Sequence, residues 1–173
     1  MTEIIIIRHG ETEWNKTGRF QGHSDIALSQ EGRAQAAALG RNLAVDGVDA
    51  IYASDLTRAM ETAAPLAKRF GLEVIPDAAL RELNFGAWEG RNFHDVNAEY
   101  PGAMKTFYND PELADIPDSE NFTDFQKRVA GRVRGIAEEH CGKRVIIVSH
   151  GASIRILFAD ILAMPIRSIW HIS

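Results

Sequence analysis

The sequence predicts an α/β protein, a three-layer αβα sandwich built on a mostly parallel central sheet. Three observations predict it. Short apolar runs at Ile4–Ile7, Ala50–Ala53, Leu72–Ile75 and Val145–Val148 read as strands. Helical patterns separate them, and strands alternating with helices argue for a parallel sheet covered on both faces. Two of the runs, Ile4–Ile7 and Val145–Val148, are wholly apolar and β-branched, as expected of strands buried in the middle of such a sheet.

The elements follow in order. Arg8-His9-Gly10 ends the first strand abruptly. The polar stretch Glu11–Ser29 reads as loop with one helical turn near Trp14. Ala-rich Glu31–Leu43 reads as a helix capped by Ser29. After the strand Ala50–Ala53, Ser54 and Asp55 are placed to cap a helix over Leu56–Phe70, and Gly71 is a stop signal. Pro65 lies inside that helix and is expected to kink or disrupt it.

Leu80–Gly90, with two glycines, reads as loop, and Arg91–Tyr100 as a short helix stopped by Pro101. Pro101–Ser119 holds three prolines and many acidic residues and is the most irregular segment, a candidate lid or substrate-facing segment. Phe122, Phe125, Val129, Val133 and Ile136 recur at helical spacing, which predicts an amphipathic helix over Phe122–His140. Ser149-His150-Gly151 ends the last strand, and Ala152–Leu162 reads as a helix.

The chain has 173 residues, which fits a single domain over 1–173. Its net charge of −5 makes it a poor non-specific nucleic-acid binder, because such affinity comes from clustered Lys and Arg. A local field can still hold a small anion. No apolar run is long enough to span a bilayer, and no signal peptide is visible at the start. The single cysteine, Cys141, fits a reducing compartment, so the expectation is a cytoplasmic protein with no membrane partner.

Two buried strands end alike, in a histidine followed by a glycine. Ligands of open parallel sheets sit outside the carboxyl ends of the strands. If the two strands are neighbours, His9 and His150 face one crevice. Each glycine permits a sharp turn and close approach to a ligand. Arg8 adds a fixed charge whose fork fits a phosphate or a carboxylate. Arg58 falls one turn into its helix, near the positive end, a placement more natural for an arginine if an anion sits there. The alternative for Arg58 is a salt bridge to Glu61 or Glu82.

Several stretches resemble the histidine phosphatase superfamily, in its phosphoglycerate-mutase-like branch, and occur in the family's order. They are Arg8-His9-Gly10-Glu11-Thr12-Glu13-Trp14-Asn15, Arg19-Phe20-Gln21-Gly22, Ala53-Ser54-Asp55-Leu56-Thr57-Arg58-Ala59, Leu80-Arg81-Glu82 with Phe85–Gly90, and Val148-Ser149-His150-Gly151.

The resemblance implies a nucleophilic His9, with His150 completing the pocket and Glu82 serving as acid and then base. Arg8, Asn15 and Arg58 would hold the phosphate oxygens, and Gln21 and Gly22 would bind substrate. No metal and no other cofactor are expected, since arginines and histidines supply the cationic cradle. The Glu82 assignment competes with Glu11, Glu13 and Glu89 and rests on its place after Leu80-Arg81.

The implied activity is hydrolysis of small-molecule phosphate monoesters. Mutase-type transfer on a sugar acid and an inactive phospho-ligand sensor are the alternatives. The short stretch Leu83–Ser149 favours the phosphatase, and so do acidic residues where a sugar acid would need basic ones: Asp110, Glu112, Asp115, Asp118 and Glu120.

The sequence departs from the family pattern at Asp118-Ser119-Glu120-Asn121. It also ends at Ser173, short of the family's usual last strand. A missing strand would leave a sheet edge bare and invite homodimerisation.

Overall fold

The computed structural model describes residues 1–172. Four parallel strands form its sheet: β1 (Glu3–Arg8), β2 (Ala50–Ala53), β3 (Val74–Pro76) and β4 (Arg144–Ser149), in the order β1-β4-β2-β3. The helices are α1 (Glu13–Lys16), α2 (Gln30–Asn42), α3 (Thr57–Phe70), α4 (Phe93–Glu99), α5 (Ala103–Asn109), α6 (Phe122–Glu139) and α7 (Gly151–Ile161). Among the described residues, no helix is long and apolar enough to cross a membrane.

Side-chain alternation sorts the strands' residues between two cores. Ile51, Ala53, Ile146 and Val148, with Ile5 and Ile7, pack with Ala59, Ala63 and Leu66 of α3 and Leu39 of α2. Tyr52, Val145 and Ile147, with Ile4 and Ile6, pack with Phe125, Val129 and Ile136 of α6 and Ile156 of α7. The sheet therefore has helices on both faces, as the three-layer expectation required.

The placement of β1 corrects the sequence reading. Its apolar run suggested a strand in the middle of the sheet, but β1 lies at an edge and Ile4–Ile7 are only half-buried. A β-branched run reports covered faces and says nothing about neighbours in the hydrogen-bonding direction. The interior strands are β4, buried from Val145 to Ser149, and β2, buried throughout.

Local signals are partly reassigned. Ser29 caps α2 as expected, accepting from the Gly32 N–H at 3.0 Å. The start of α3 has no cap from Ser54 or Asp55; its N-cap position is Leu56. Asp25, from the loop before α2, accepts from the Thr57 N–H at 2.7 Å and from its hydroxyl at 2.8 Å. Asp55 is held instead by a two-pronged Arg81 bridge at 2.7 and 2.6 Å.

Pro65 does not end α3, which runs on to Phe70. The ring packs on Gly40 of α2, where a Cβ would come within 2.7 Å of it. The segment Pro101–Ser119 contains a regular element, α5, whose Met104 and Phe107 are buried in the larger core.

Two glycines bind the turn after β1 to α2. A Cβ on Gly10 would lie 2.7 Å from the Gly32 carbonyl oxygen, and one on Gly32 would run into the backbone of Glu11. The clash at Gly32 is with backbone, so no side chain can swing aside. Gly32→Ala should therefore lower stability by about 1–3 kcal/mol, the usual cost of overpacking. Urea denaturation checks this, and an unchanged midpoint would mean the two segments can separate freely.

Candidate active site

Pairing of β1 with β4 sets Arg8 opposite Ser149, so His9 and His150 leave adjacent strands at the same level. The His9 N–H continues the ladder to the Ser149 carbonyl at 2.9 Å. The two imidazoles stand with ring centres 5.1 Å apart. His9 is 8% exposed and His150 is fully buried.

The tautomer of His9 follows from its one partner. Its Nδ1 lies 2.7 Å from the Gly10 carbonyl oxygen, which can only accept. Nδ1 therefore carries the proton, and Nε2 keeps a lone pair. Burial pushes the His9 pKa down to about 3. The Gly10 carbonyl opposes that shift, and the charges of Arg58 and Arg8 add to it. His150 is held well below its ordinary pKa, first by burial and then by Arg58 and His9. Neither ring nitrogen of His150 has a protein partner among the described residues.

Arg58 sits in the first turn of α3 and is completely buried. It forms no salt bridge to Glu61 or Glu82: Glu61 accepts from the Leu28 N–H and pairs with Arg33. The guanidinium donates only to neutral groups, the Ser24 carbonyl at 2.8 Å and the Gly22 carbonyl at 2.7 Å. Its Nε has no partner. A buried cation without a carboxylate is costly to maintain unless something anionic completes it.

Glu82 lies against the start of α7. Its carboxylate accepts from the N–H groups of Leu83 at 3.0 Å, Ala152 at 3.0 Å and Ser153 at 3.1 Å, with the Ser153 hydroxyl at 3.3 Å. Negative charge there faces the positive end of the helix. This contact holds Glu82 on the first turn of the helix that follows His150, whereas the competing carboxylates have other partners. Glu89 is occupied by the N–H groups of His23, Ser24 and Phe85, and Glu13 is an exposed partner of Lys16. Glu11 lines a hollow with Arg8, His9 and Asn15, but it also accepts from the Ser29 hydroxyl.

Asn15 closes a capping box with Thr12 at the start of α1. The Thr12 N–H donates to Asn15 Oδ1 at 3.0 Å, and the Thr12 hydroxyl donates to Gln21 Oε1 at 2.9 Å. With both carbonyl ends occupied, each side chain keeps its NH2 group without a partner among the described residues. Gly22 acts through its backbone: it has a φ of +51°, and its carbonyl positions Arg58. A Cβ there would collide with the Glu89 carboxylate.

Several supporting residues were not singled out from the sequence. Thr62 accepts from the Gly10 N–H at 3.0 Å and donates to the Arg58 carbonyl at 2.7 Å, tying the turn after His9 to α3. Arg128 of α6 bonds the carbonyls of Ala79, Arg81 and Glu82 while pairing with Glu120. Glu120, in the stretch that departs from the family pattern, thus helps fix the strap that carries Glu82. His23, given no role from the sequence, has Nε2 3.0 Å from the Glu82 carbonyl.

The profile of the histidine phosphatase superfamily (branch 1) matches residues 4–173. The chain belongs to the histidine phosphatase superfamily. It is 31% identical over 170 residues to phosphoserine phosphatase 1 of Hydrogenobacter thermophilus, covering 98% of this chain and 81% of the relative. It is 36% identical over 159 residues to phosphoglycerate mutase-like protein 4 of Arabidopsis thaliana, covering 90% and 69%. Its fold superposes with a TM-score of 0.89 on the mycobacterial glucosyl-3-phosphoglycerate phosphatase solved with VO3, at 32% identity and covering 97% and 85% of the two chains.

In this histidine phosphatase the depressed His9 pKa also ties stability to pH. Between about pH 3 and the unfolded value near 6.5, the unfolded chain binds a proton at this position and the folded chain does not. Stability contributed by neutral His9 is therefore present above that range and lost as pH falls through it. His9→Asn should reduce the slope of unfolding free energy against pH by up to about 1.4 kcal/mol per pH unit between pH 4 and 6. Urea titrations at several pH values measure it, and equal slopes would remove the buried neutral imidazole.

Proposed function

We propose that the protein is a metal-independent phosphatase, with residues 1–173 acting as one domain, that hydrolyses small-molecule phosphate monoesters through a phosphohistidine on His9. The observation that carries this reading is a fully buried Arg58 without a carboxylate partner, beside a neutral His9 whose Nε2 is free. An anion is what the first group lacks, and an electrophile is what the second is prepared to attack. Relatives named as phosphatases support the same activity. The exposed, unpaired Cys141 is compatible with a cytoplasmic setting, which belongs to this reading.

In the first half-reaction, His9 Nε2 bonds to phosphorus as the bond to the alcohol oxygen breaks. Glu82, protonated for this step, gives its proton to that oxygen. In the second, water attacks phosphorus, its proton passes to the Glu82 carboxylate, and the nitrogen–phosphorus bond breaks to release inorganic phosphate. Arg8, Arg58 and His150, with the NH2 groups of Asn15 and Gln21, hold the equatorial oxygens where charge is spread in the transition state. Gly22 contributes by setting the Arg58 fork.

The test is turnover of p-nitrophenyl phosphate in EDTA, followed by 3-phosphoglycerate with and without 2,3-bisphosphoglycerate. Phosphate release in EDTA that needs no bisphosphate is expected. Isomerisation without phosphate release would favour the mutase. His9→Ala should abolish both turnover and an acid-labile phosphoenzyme trapped by rapid quench; wild-type rates in that variant would remove the nucleophile.

Glu82→Gln should slow alkyl phosphates at least tenfold more than p-nitrophenyl phosphate, because a good leaving group needs little protonation. Equal losses on both would count against the acid role.

A further inference from the structure

We propose that Arg155, together with Arg8, forms a second anion subsite beside the phosphoryl pocket, selecting esters whose alcohol portion carries another anionic group, a carboxylate or a second phosphate. The proposal rests on the phosphatase reading and narrows its substrate class. A cavity of about 240 Å³ is lined by Arg8, Gly151, Ile154, Arg155, Phe158 and Ile172. Arg8 also lines the hollow that holds His9 and Asn15. One guanidinium thus belongs to both spaces, and a ligand in the cavity lies next to the nucleophile.

Two cations converge there. A Cβ on Gly151 would sit 3.5 Å from Arg8 Cζ and 3.6 Å from Arg155 Nη1, so both guanidiniums lie within van der Waals reach of the position after His150. Neither arginine has a carboxylate partner among the described residues. This is unlike Arg81, Arg128 and Arg132, each of which is paired. Arg155 is oriented by its backbone neighbours, with Nε donating to the Ile172 carbonyl at 2.8 Å and the group 5.9 Å from the centre of the Trp170 ring. Trp170 is itself fixed by donation to the Phe107 carbonyl at 2.8 Å.

Two like charges held together in a small hollow repel each other, and an anion between them converts repulsion into attraction. The apolar wall of Ile154, Phe158 and Ile172 limits water on one side, which strengthens that attraction. A fixed guanidinium fork matches the two oxygens of a carboxylate or of a phosphate. The small volume calls for a short spacer between the anionic group and the ester.

The experiment is calorimetric titration with three probes: 3-phosphonopropanoate, ethane-1,2-diphosphonate and propylphosphonate, which lacks the second charge. Wild-type protein should bind at least one doubly anionic probe tenfold or more tightly than propylphosphonate, and the better of the two identifies the anion. Arg155→Leu should bring that ratio to within twofold of one, and Arg155→Lys, a point charge without the fork, should fall between. A wild-type ratio near one, or a ratio that survives in Arg155→Leu, overturns the subsite. Because each measurement is a ratio within one folded protein, partial loss of stability does not imitate the result. Failure of the phosphatase reading shows separately, as wild-type protein that binds these probes and does not turn over p-nitrophenyl phosphate.

Discussion

Parallel pairing of β1 with β4 is the constraint on which the site depends. His9 and His150 are separated by most of the chain, and neither loop could place its imbidazole against the other unaided. The ladder does it: Arg8 opposite Ser149 fixes both turns at one level, and the His9 N–H extends the pairing by one bond. A slip of one residue would send each strand's side chains to the wrong face and part the two rings. The apolar alternation that selects the register for packing therefore also sets the catalytic geometry, so core and site are specified by the same residues.

Around that ladder the protein maintains an arrangement that folding alone would not favour. Arg58 is buried with neutral partners, His150 is buried with none, and both imidazoles are kept neutral by burial and by nearby positive charge. The unfilled buried donors of Arg58 and His150 cost stability in the free protein. Each also prepares for a ligand whose charge is opposite and whose oxygens match the unfilled donors. The surrounding strap is well satisfied by comparison. Arg128 binds three carbonyls, Arg81 binds Asp55, and Glu89 collects the N–H groups of the loop before α2, so these charged neighbours are paired while Arg58 is left for an anion.

The fold class, the order of elements and the convergence of His9, His150 and Arg58 were legible in the sequence. Strand–His–Gly endings and ordered motifs carry that information locally. What was hidden depended on partners distant in the chain. Nothing near Thr57 announces that Asp25 will cap its helix, and nothing near Glu82 announces Arg128. The edge position of β1 was hidden for a related reason, since hydrophobicity reports which faces are covered and not which strands are neighbours. Pro65 stays within α3 with its ring packed against Gly40 of α2, a tertiary contact that propensity does not contain.

The acidic segment Pro101–Ser119 offers few basic residues for a second anionic group, but the alcohol portion of a substrate need not lie under it. The structure provides another direction. Arg155 is one helical turn beyond Gly151, so the turn that delivers His150 also delivers a guanidinium beside Arg8. Positive charge for the remote end of a substrate can come from the helix that follows the second histidine. The segment between the acid and that histidine is then free to be acidic, with Glu120 committed to Arg128. Net charge along a stretch of sequence is a poor guide to the field in a pocket, because a pocket's charges are chosen by the ends of strands and helices that meet there.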